Sequence, residues 1–243
     1  MLILAGLGIS DEKGITIEEL EVAKKSDYVF IELYTNIWLG NVENLERMIG
    51  KEVKVLRRSD LEEGSEKIVS LAKDKKVVIF VPGDPLVATT HSSLIAECMK
   101  RKVDFKVIHN SSIISAICET GLHSYKFGPS ITIPLKERAK FVGSVIDVIK
   151  QNKGRGLHTL CLLDIDLESN KLLGVGEAVK FLIESGVVND GEKIVVASCL
   201  GSDRRKILWR EARYLIDAIV ELPAVIVVPG DLHFSEREIL ESF

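Results

Sequence analysis

Five short apolar runs recur through the first half of the chain: Leu2–Gly6 (LILAG), Tyr28–Leu33 (YVFIEL), Glu52–Leu56 (EVKVL), Val77–Val81 (VVIFV) and Phe105–His109 (FKVIH). Between them the apolar period lengthens to that of a helix. Thr16-x-x-Glu19 forms a capping box that opens a helix carrying Ile17, Leu20 and Ala23 on one face. Asn41 caps a second, with Val42, Leu45, Met48 and Ile49. Ile68, Leu71 and Ala72 mark a third, and Leu94, Ile95, Cys98 and Met99 a fourth. Strands apolar on both faces and separated by helices constrain the fold strongly. They belong in a mainly parallel sheet covered by helices on both sides.

The second half has another rhythm. Ser111 or Ser112 starts a helix that Gly121 ends, and "YKFGPSITIP" is a Gly/Pro-punctuated connection running into a strand. A helix around Phe141 to Ile149, a strand "HTLCLLDI" and a helix around Ala178 to Ile183 follow. "KIVVASCLG" and "KILWRE" read as antiparallel strands joined by a polar turn, and "AVIVVPGD" as a last strand. The expected architecture is α/β in two lobes, a mainly parallel N-terminal domain (1–110) and a mixed C-terminal domain (111–243). The junction falls within 108–130 and a ligand cleft lies between the lobes. "VIFVPGD" (78–84) and "VIVVPGD" (225–231) agree at six of seven positions. Nothing flanking them repeats, so shared Pro-Gly turn chemistry explains the match better than duplication.

Bulk properties exclude several functions. At 243 residues and 46% hydrophobic the chain can bury a sizeable core, and a net charge of −4 gives no field to steer it to nucleic acid or an anionic membrane. No apolar run nears the ~18 residues of a membrane span. "MLILAGLGI" lacks a basic start and meets Ser10-Asp11 too soon for a signal peptide, so it reads as a buried strand. Cys98, Cys118, Cys161 and Cys199 form no C-x-x-C pair and no metal-ligand spacing with histidine. Each lies in an apolar run and is expected to be a small core residue in a reducing compartment.

"GLGIS" (6–10) follows the first strand and invites a dinucleotide reading, with Glu32 near the offset of a ribose-binding acid. Against it, Asp11 stands where the third glycine belongs, and the helix does not open until about Thr16, too late to bring its N-terminus to a pyrophosphate. No P-loop, H-E-x-x-H or G-x-S-x-G occurs. What remains is a set of loops at strand carboxyl ends: "GLGIS", "ELYTN" (32–36), "PGDPLVATTH" (82–91) and "HNSSI" (109–113). Ligands of open parallel sheets bind outside those ends.

These segments, with "SYKFGPSITIP", "LLDI" and "VPGDLHF", resemble in order the pattern of the diphthine synthases. That family belongs to the tetrapyrrole-methylase-like, S-adenosylmethionine-dependent methyltransferases. The resemblance spans nearly the whole chain, and "PGDPLVATTH" is its most specific member. It implies a cytoplasmic homodimer that binds S-adenosyl-L-methionine, releases S-adenosyl-L-homocysteine and needs no metal. Its implied partner is translation elongation factor 2, whose modified histidine is trimethylated on an α-amino group in diphthamide biosynthesis; no nucleic acid or membrane partner is implied. Carried over residue by residue, cofactor contacts fall on Ile9, Asp84, Val87, Ser112, Ile113, Leu163, Leu200 and Ala224. Relatives commonly carry His where Ala224 stands, and Ser where Asn36 stands. Tyr34, Thr35, His91 and Tyr125 to Phe127 are substrate-side candidates, and no catalytic residue is implied. The alternatives are a tetrapyrrole-precursor methyltransferase, a nicotinamide oxidoreductase, and a cofactor-binding regulator without activity.

Overall fold

The computed structural model describes residues 1–243, the side chains of 139–141 excepted. The chain divides into two compact units, Met1–Ala116 and Ile117–Phe243.

The first unit runs β1 (Leu2–Gly6), α1 (Ile17–Lys24), β2 (Tyr28–Glu32), α2 (Val42–Ile49), β3 (Lys54–Leu56), α3 (Arg58–Glu62), α4 (Ser65–Leu71), β4 (Val77–Val81), α5 (Ser92–Arg101), β5 (Phe105–Ile108) and α6 (Ile113–Ala116). Its sheet has the order β3-β2-β4-β1-β5, and every pairing is parallel. Strand periodicity divides the core in two. Leu2, Leu4, Val77, Ile79 and Val81 pack on one face with Ile68, Leu94 and Cys98. Ile3, Ala5, Val78 and Phe80 pack on the other with Ala23, Leu45 and Ile49. Each fully buried Leu, Ile, Val or Phe among them stabilises the fold by about 1.5–3 kcal/mol.

The expected caps are present. Thr16 Oγ1 accepts from the Glu19 amide while Glu19 reaches back to the Thr16 amide, and Asn41 accepts from the Asn44 amide. The helix expected before β4 is α4, and a separate short helix, α3, precedes it across a break at Gly64. Adjacent strands β1 and β4 send their following helices to opposite faces: Ala23 of α1 lies in one core layer, Leu94 and Cys98 of α5 in the other. That divergence opens a crevice at their carboxyl ends.

The second unit contains β6 (Ile131–Ile133), α7 (Val142–Gly154), β7 (Thr159–Leu163), β8 (Ile165–Asp166), β9 (Lys171–Leu172), α8 (Val175–Glu184), β10 (Lys193–Ser198), β11 (Lys206–Glu211), β12 (Ala224–Val228) and α9 (Phe234–Leu240). Its main sheet has the order β11-β10-β12-β7-β6 and is mixed, with β6 parallel to β7 and the other pairs antiparallel. The expected strand "HTLCLLDI" is interrupted at Asp164, whose carboxylate takes the Leu135 amide and the Arg138 guanidinium; β8 then pairs with β9 instead. The two "VPGD" segments occupy different settings. β4 is central and parallel to both neighbours, whereas β12 is antiparallel to both of its own. Gly83 adopts φ +76° and Gly230 no positive φ, so the two Pro-Gly segments do not share one turn, and the likeness is confined to the strands that precede them.

Cys98, Cys161 and Cys199 are buried as expected, and burial pushes the Cys161 thiol up to about 12. Cys118 is exposed, contrary to expectation, because it lies in a 3-10 segment (Ile117–Thr120) rather than on the buried face of a helix. Among the described residues no helix is long and apolar enough to cross a membrane.

Candidate active site

Three loops meet at the carboxyl ends of β1, β4 and β5. The first two are zipped together: the Gly8 amide donates to Gly83 O (3.2 Å), the Gly83 amide to Gly8 O (2.8 Å) and the Leu7 amide to Val81 O (2.8 Å). Gly8 (φ +71°) and Gly83 (φ +76°) both occupy the left-handed region, where a side chain adds strain. Asn110 ties in the third loop. Its Nδ2 donates to Gly14 O (3.0 Å), Gly6 O (3.3 Å) and the Glu19 carboxylate (3.0 Å). The approach is close enough that a Cβ on Gly6 would sit 2.5 Å from Gly83 O and 2.6 Å from Asn110 Cβ.

Asp84 organises two of these loops. It is buried. Oδ1 accepts from the Leu86 amide (2.9 Å); Oδ2 meets His109 Nδ1 (2.8 Å) and accepts from the Asn110 amide (3.3 Å). Both oxygens are thus bound by the chain itself. A Cβ on Gly83 would meet nothing nearer than Ser111 O at 3.9 Å, so that side of the loop is open. Val87, Ile9 and Ile113 are partly exposed on the same edge, and Ser112 is buried at the start of α6. Ala88 at φ +55° completes a loop whose backbone is held away from its relaxed geometry.

In the second unit, Leu163 ends β7, Leu200 follows β10 and Ala224 begins β12. Ser198 pairs with Ala224 and Leu162 with Val225. The antiparallel register therefore brings all three positions to one end of that sheet.

Sequence reasoning missed a sealed polar cluster beside the first unit's crevice. Glu32 is fully buried and its carboxylate accepts from the Tyr34 and Thr35 amides (3.0 and 3.1 Å) and from the Thr35 hydroxyl. Burial raises its pKa, partly offset by those bonds. His91 is buried too, with Nδ1 3.3 Å from Pro85 O and Nε2 3.9 Å from Glu32 Oε1; burial lowers its pKa. Burial and the Glu32 charge push the Tyr34 phenol up. Tyr34 packs edge-on against His91, which sets "ELYTN" beside "PGDPLVATTH" without a hydrogen bond between Glu32 and His91. The spacing Glu-x-x-Thr was the cluster's one legible sign, a carboxylate able to cap the loop that follows it. It also removes Glu32 as a ribose ligand. With α1 starting at Ile17 behind its own capping box, both supports of the nicotinamide alternative are lost.

"SYKFG" and "VPGDLHF" converge within the second unit on Glu236, which is fully buried. Its carboxylate accepts from Lys126 Nζ (2.6 Å), His158 Nε2 (3.1 Å) and the His123 and His233 amides (2.8 and 2.7 Å). Burial alone would raise its pKa, but these donors outweigh it and bring the value to about 2. Tyr125 stands exposed beside this node.

No group of three or more His, Cys, Asp and Glu able to hold a metal occurs among the described residues. The assembled loops offer glycines, amides and half-buried apolar side chains, a surface suited to a small organic ligand.

The tetrapyrrole (corrin/porphyrin) methylase family profile matches residues 1–213. A diphthine synthase of Methanocaldococcus jannaschii is 39% identical over 251 residues, covering 99% of this chain and 98% of its own. A crystal structure of diphthine synthase superposes with a TM-score of 0.91 at 37% identity, over 100% of this chain and 96% of its own. A crystal structure of a putative diphthine synthase from Entamoeba histolytica gives 0.89 at 31% identity, over 100% and 98%.

Proposed function

The chain belongs to the tetrapyrrole (corrin/porphyrin) methylase family and, within it, to the diphthine synthases, and on that footing we propose how its residues serve the reaction. It is an S-adenosylmethionine-dependent methyltransferase. Its substrate is the modified histidine of translation elongation factor 2, and it adds methyl groups to the α-amino nitrogen during diphthamide biosynthesis, in the cytoplasm and as a homodimer. The observation that carries this reading is the match to diphthine synthases over 99% of the chain, which takes in both units. A tetrapyrrole precursor would share the cofactor loops but not that full-length match.

The residues present fit the cofactor. The open side of Gly83, the zipped Gly8–Gly83 turn and the apolar Ile9, Val87 and Ile113 can receive an adenosyl thioether without a charged cradle. We assign cofactor contacts to Ile9, Asp84, Val87, Ser112 and Ile113 in the first unit and to Leu163, Leu200 and Ala224 in the second. When bound, the cofactor supplies an electrophilic methyl on a sulfonium. The chain supplies placement and exclusion of water. Asp84 holds the loop by its carboxylate and presents backbone atoms to the ligand.

Calorimetric titration with S-adenosylhomocysteine, with NAD as control, tests the cofactor. Saturable binding of the first and none of the second is expected. Label transfer from S-adenosylmethionine to elongation factor 2 carrying the unmethylated intermediate tests the substrate. Binding of NAD alone would overturn the assignment.

A further inference from the structure

We propose that His109, oriented by Asp84, is the proton acceptor for the amino group that is methylated. This rests on the functional reading above and deepens it.

Methylation needs a nitrogen lone pair, yet an α-amino group with a pKa of ~7.7–8.0 is mostly protonated near pH 7. Each further methyl likewise requires loss of one proton. A site that repeats the step gains from a group that takes a proton and passes it to water.

The titratable groups around the crevice narrow the choice. Glu19 is buried and held by Thr16 and Asn110. Glu32 is sealed under three donors, and the Asp84 oxygens are engaged by Leu86, His109 and Asn110. The first unit has two histidines, His91 and His109. His91 is 1% exposed, and its nearest charged group is the equally buried Glu32. The His109 side chain is 68% exposed at the carboxyl end of β5, and Asp84 is the charged group that meets it among the described residues. It is flanked in sequence by Asn110, which fixes the Gly6 and Gly14 carbonyls, and by Ser112 and Ile113 of the assigned cofactor contacts.

The geometry also sets the imidazole's tautomer. Asp84 Oδ2 lies 2.8 Å from His109 Nδ1. A carboxylate oxygen accepts, so Nδ1 carries the hydrogen and Nε2 holds the lone pair facing solvent. The carboxylate also holds the ring in place while Nε2 takes up a proton. The step balances. Nε2 takes one proton from the substrate ammonium. The freed nitrogen pair forms the N–C bond as the methyl's bond to sulfur breaks, and the electrons of the C–S bond stay on sulfur in the neutral thioether. The proton leaves Nε2 for water, and His109 is ready for the next methyl.

The test compares His109→Asn, whose amide can still donate to Asp84 but cannot accept a proton at that position, with His109→Ala. Both should bind S-adenosylhomocysteine within about twofold of wild type by calorimetry. Single-turnover methyl transfer should fall about 100-fold, within the range of general-base effects. Imidazoles added to His109→Ala should restore transfer in the order of their basicity. Nitrogen-15 spectra of the ligand-free wild type should show His109 as the Nδ1–H tautomer, lost in Asp84→Ala. Wild-type transfer in His109→Asn, or loss of transfer in step with loss of S-adenosylhomocysteine affinity, overturns the proposal and leaves the methyltransferase reading intact. A wild-type chain that binds no S-adenosylhomocysteine overturns that reading and this one together.

Discussion

Replacing Gly6 by alanine probes the meeting of the three loops with a single methyl group. That methyl would lie 2.5 Å from Gly83 O and 2.6 Å from Asn110 Cβ, roughly 1 Å inside ordinary contact distances. Both neighbours are fixed: Gly83 by its paired bonds to Gly8, Asn110 through Gly14 and Glu19. Neither can rotate away, so the loops must part. Overpacking of this kind costs about 1–3 kcal/mol, and each Gly8–Gly83 hydrogen bond lost adds about 0.5–1.5 kcal/mol. The sheet itself stays registered, because β1 and β4 remain paired from Leu2 to Gly6. The damage therefore concentrates where the ligand binds. Urea unfolding should show a loss of about 2 kcal/mol. Calorimetry should show S-adenosylhomocysteine affinity weakened by at least about 30-fold, since ~1.4 kcal/mol is tenfold. Gly50→Ala is the control. Gly50 has φ +76° with nothing within 4 Å of the added methyl, so it should lose about 1 kcal/mol of stability and no affinity. Wild-type affinity in Gly6→Ala would refute the loop junction as the binding element.

Two further perturbations address other parts of the molecule. Asp84→Ala removes the acceptor shared by Leu86, Asn110 and His109, and should weaken S-adenosylhomocysteine binding more than 10-fold while costing at most about 2–3 kcal/mol of stability; unchanged affinity would sink its role. Glu236 has a folded pKa of about 2 against an ordinary 4.5, worth about 3 kcal/mol. Because the folded value is depressed, that stability is present above about pH 4.5 and is lost as pH falls towards 2. Glu236→Gln should flatten this acid limb and lower stability near pH 7 by about 3 kcal/mol, and superimposable pH–stability curves in urea would contradict the assignment.

Much of the first unit was legible because its central strands β1 and β4 are buried on both faces and α2 and α4 carry one apolar stripe, although Ile17, expected on the buried face of α1, is exposed. The Thr16–Glu19 box and the Asn41 cap worked as expected, since a cap depends on three adjacent residues and little else. The break at Gly64 and the interruption at Asp164 were not legible. The first needs only a weak helix at one glycine. The second depends on Arg138 and Leu135 arriving from elsewhere. The same limit governs the site. Its loops announced themselves by glycine, proline and hydroxyl content, but Asp84 meeting His109, or Glu32 lying against His91, is decided by strand order, and strand order leaves little trace in local pattern. Cys118 looked like a core residue because its neighbours are apolar, although a 3-10 segment turns it outward.

Sheet order also dictates when the binding loops come into being. Leu2 at the start of β1 pairs with Val77 and with Phe105, so the first strand synthesised waits for the fourth and fifth. Until residues near 110 have left the ribosome, β1 has an open edge, and the turn that Gly8 makes with Gly83 lacks the Asn110 amide that fastens Gly6 and Gly14. Pairings of such long separation form slowly and leave hydrophobic strands exposed meanwhile. β10 and β11, by contrast, close as a local antiparallel pair. The N-terminal glycine turn is the earliest part of the site to be made and among the last to take shape. A chain stopped before β5 would carry the most recognisable stretch of its sequence, "PGDPLVATTH", on a sheet that lacks the strand delivering His109 and Asn110.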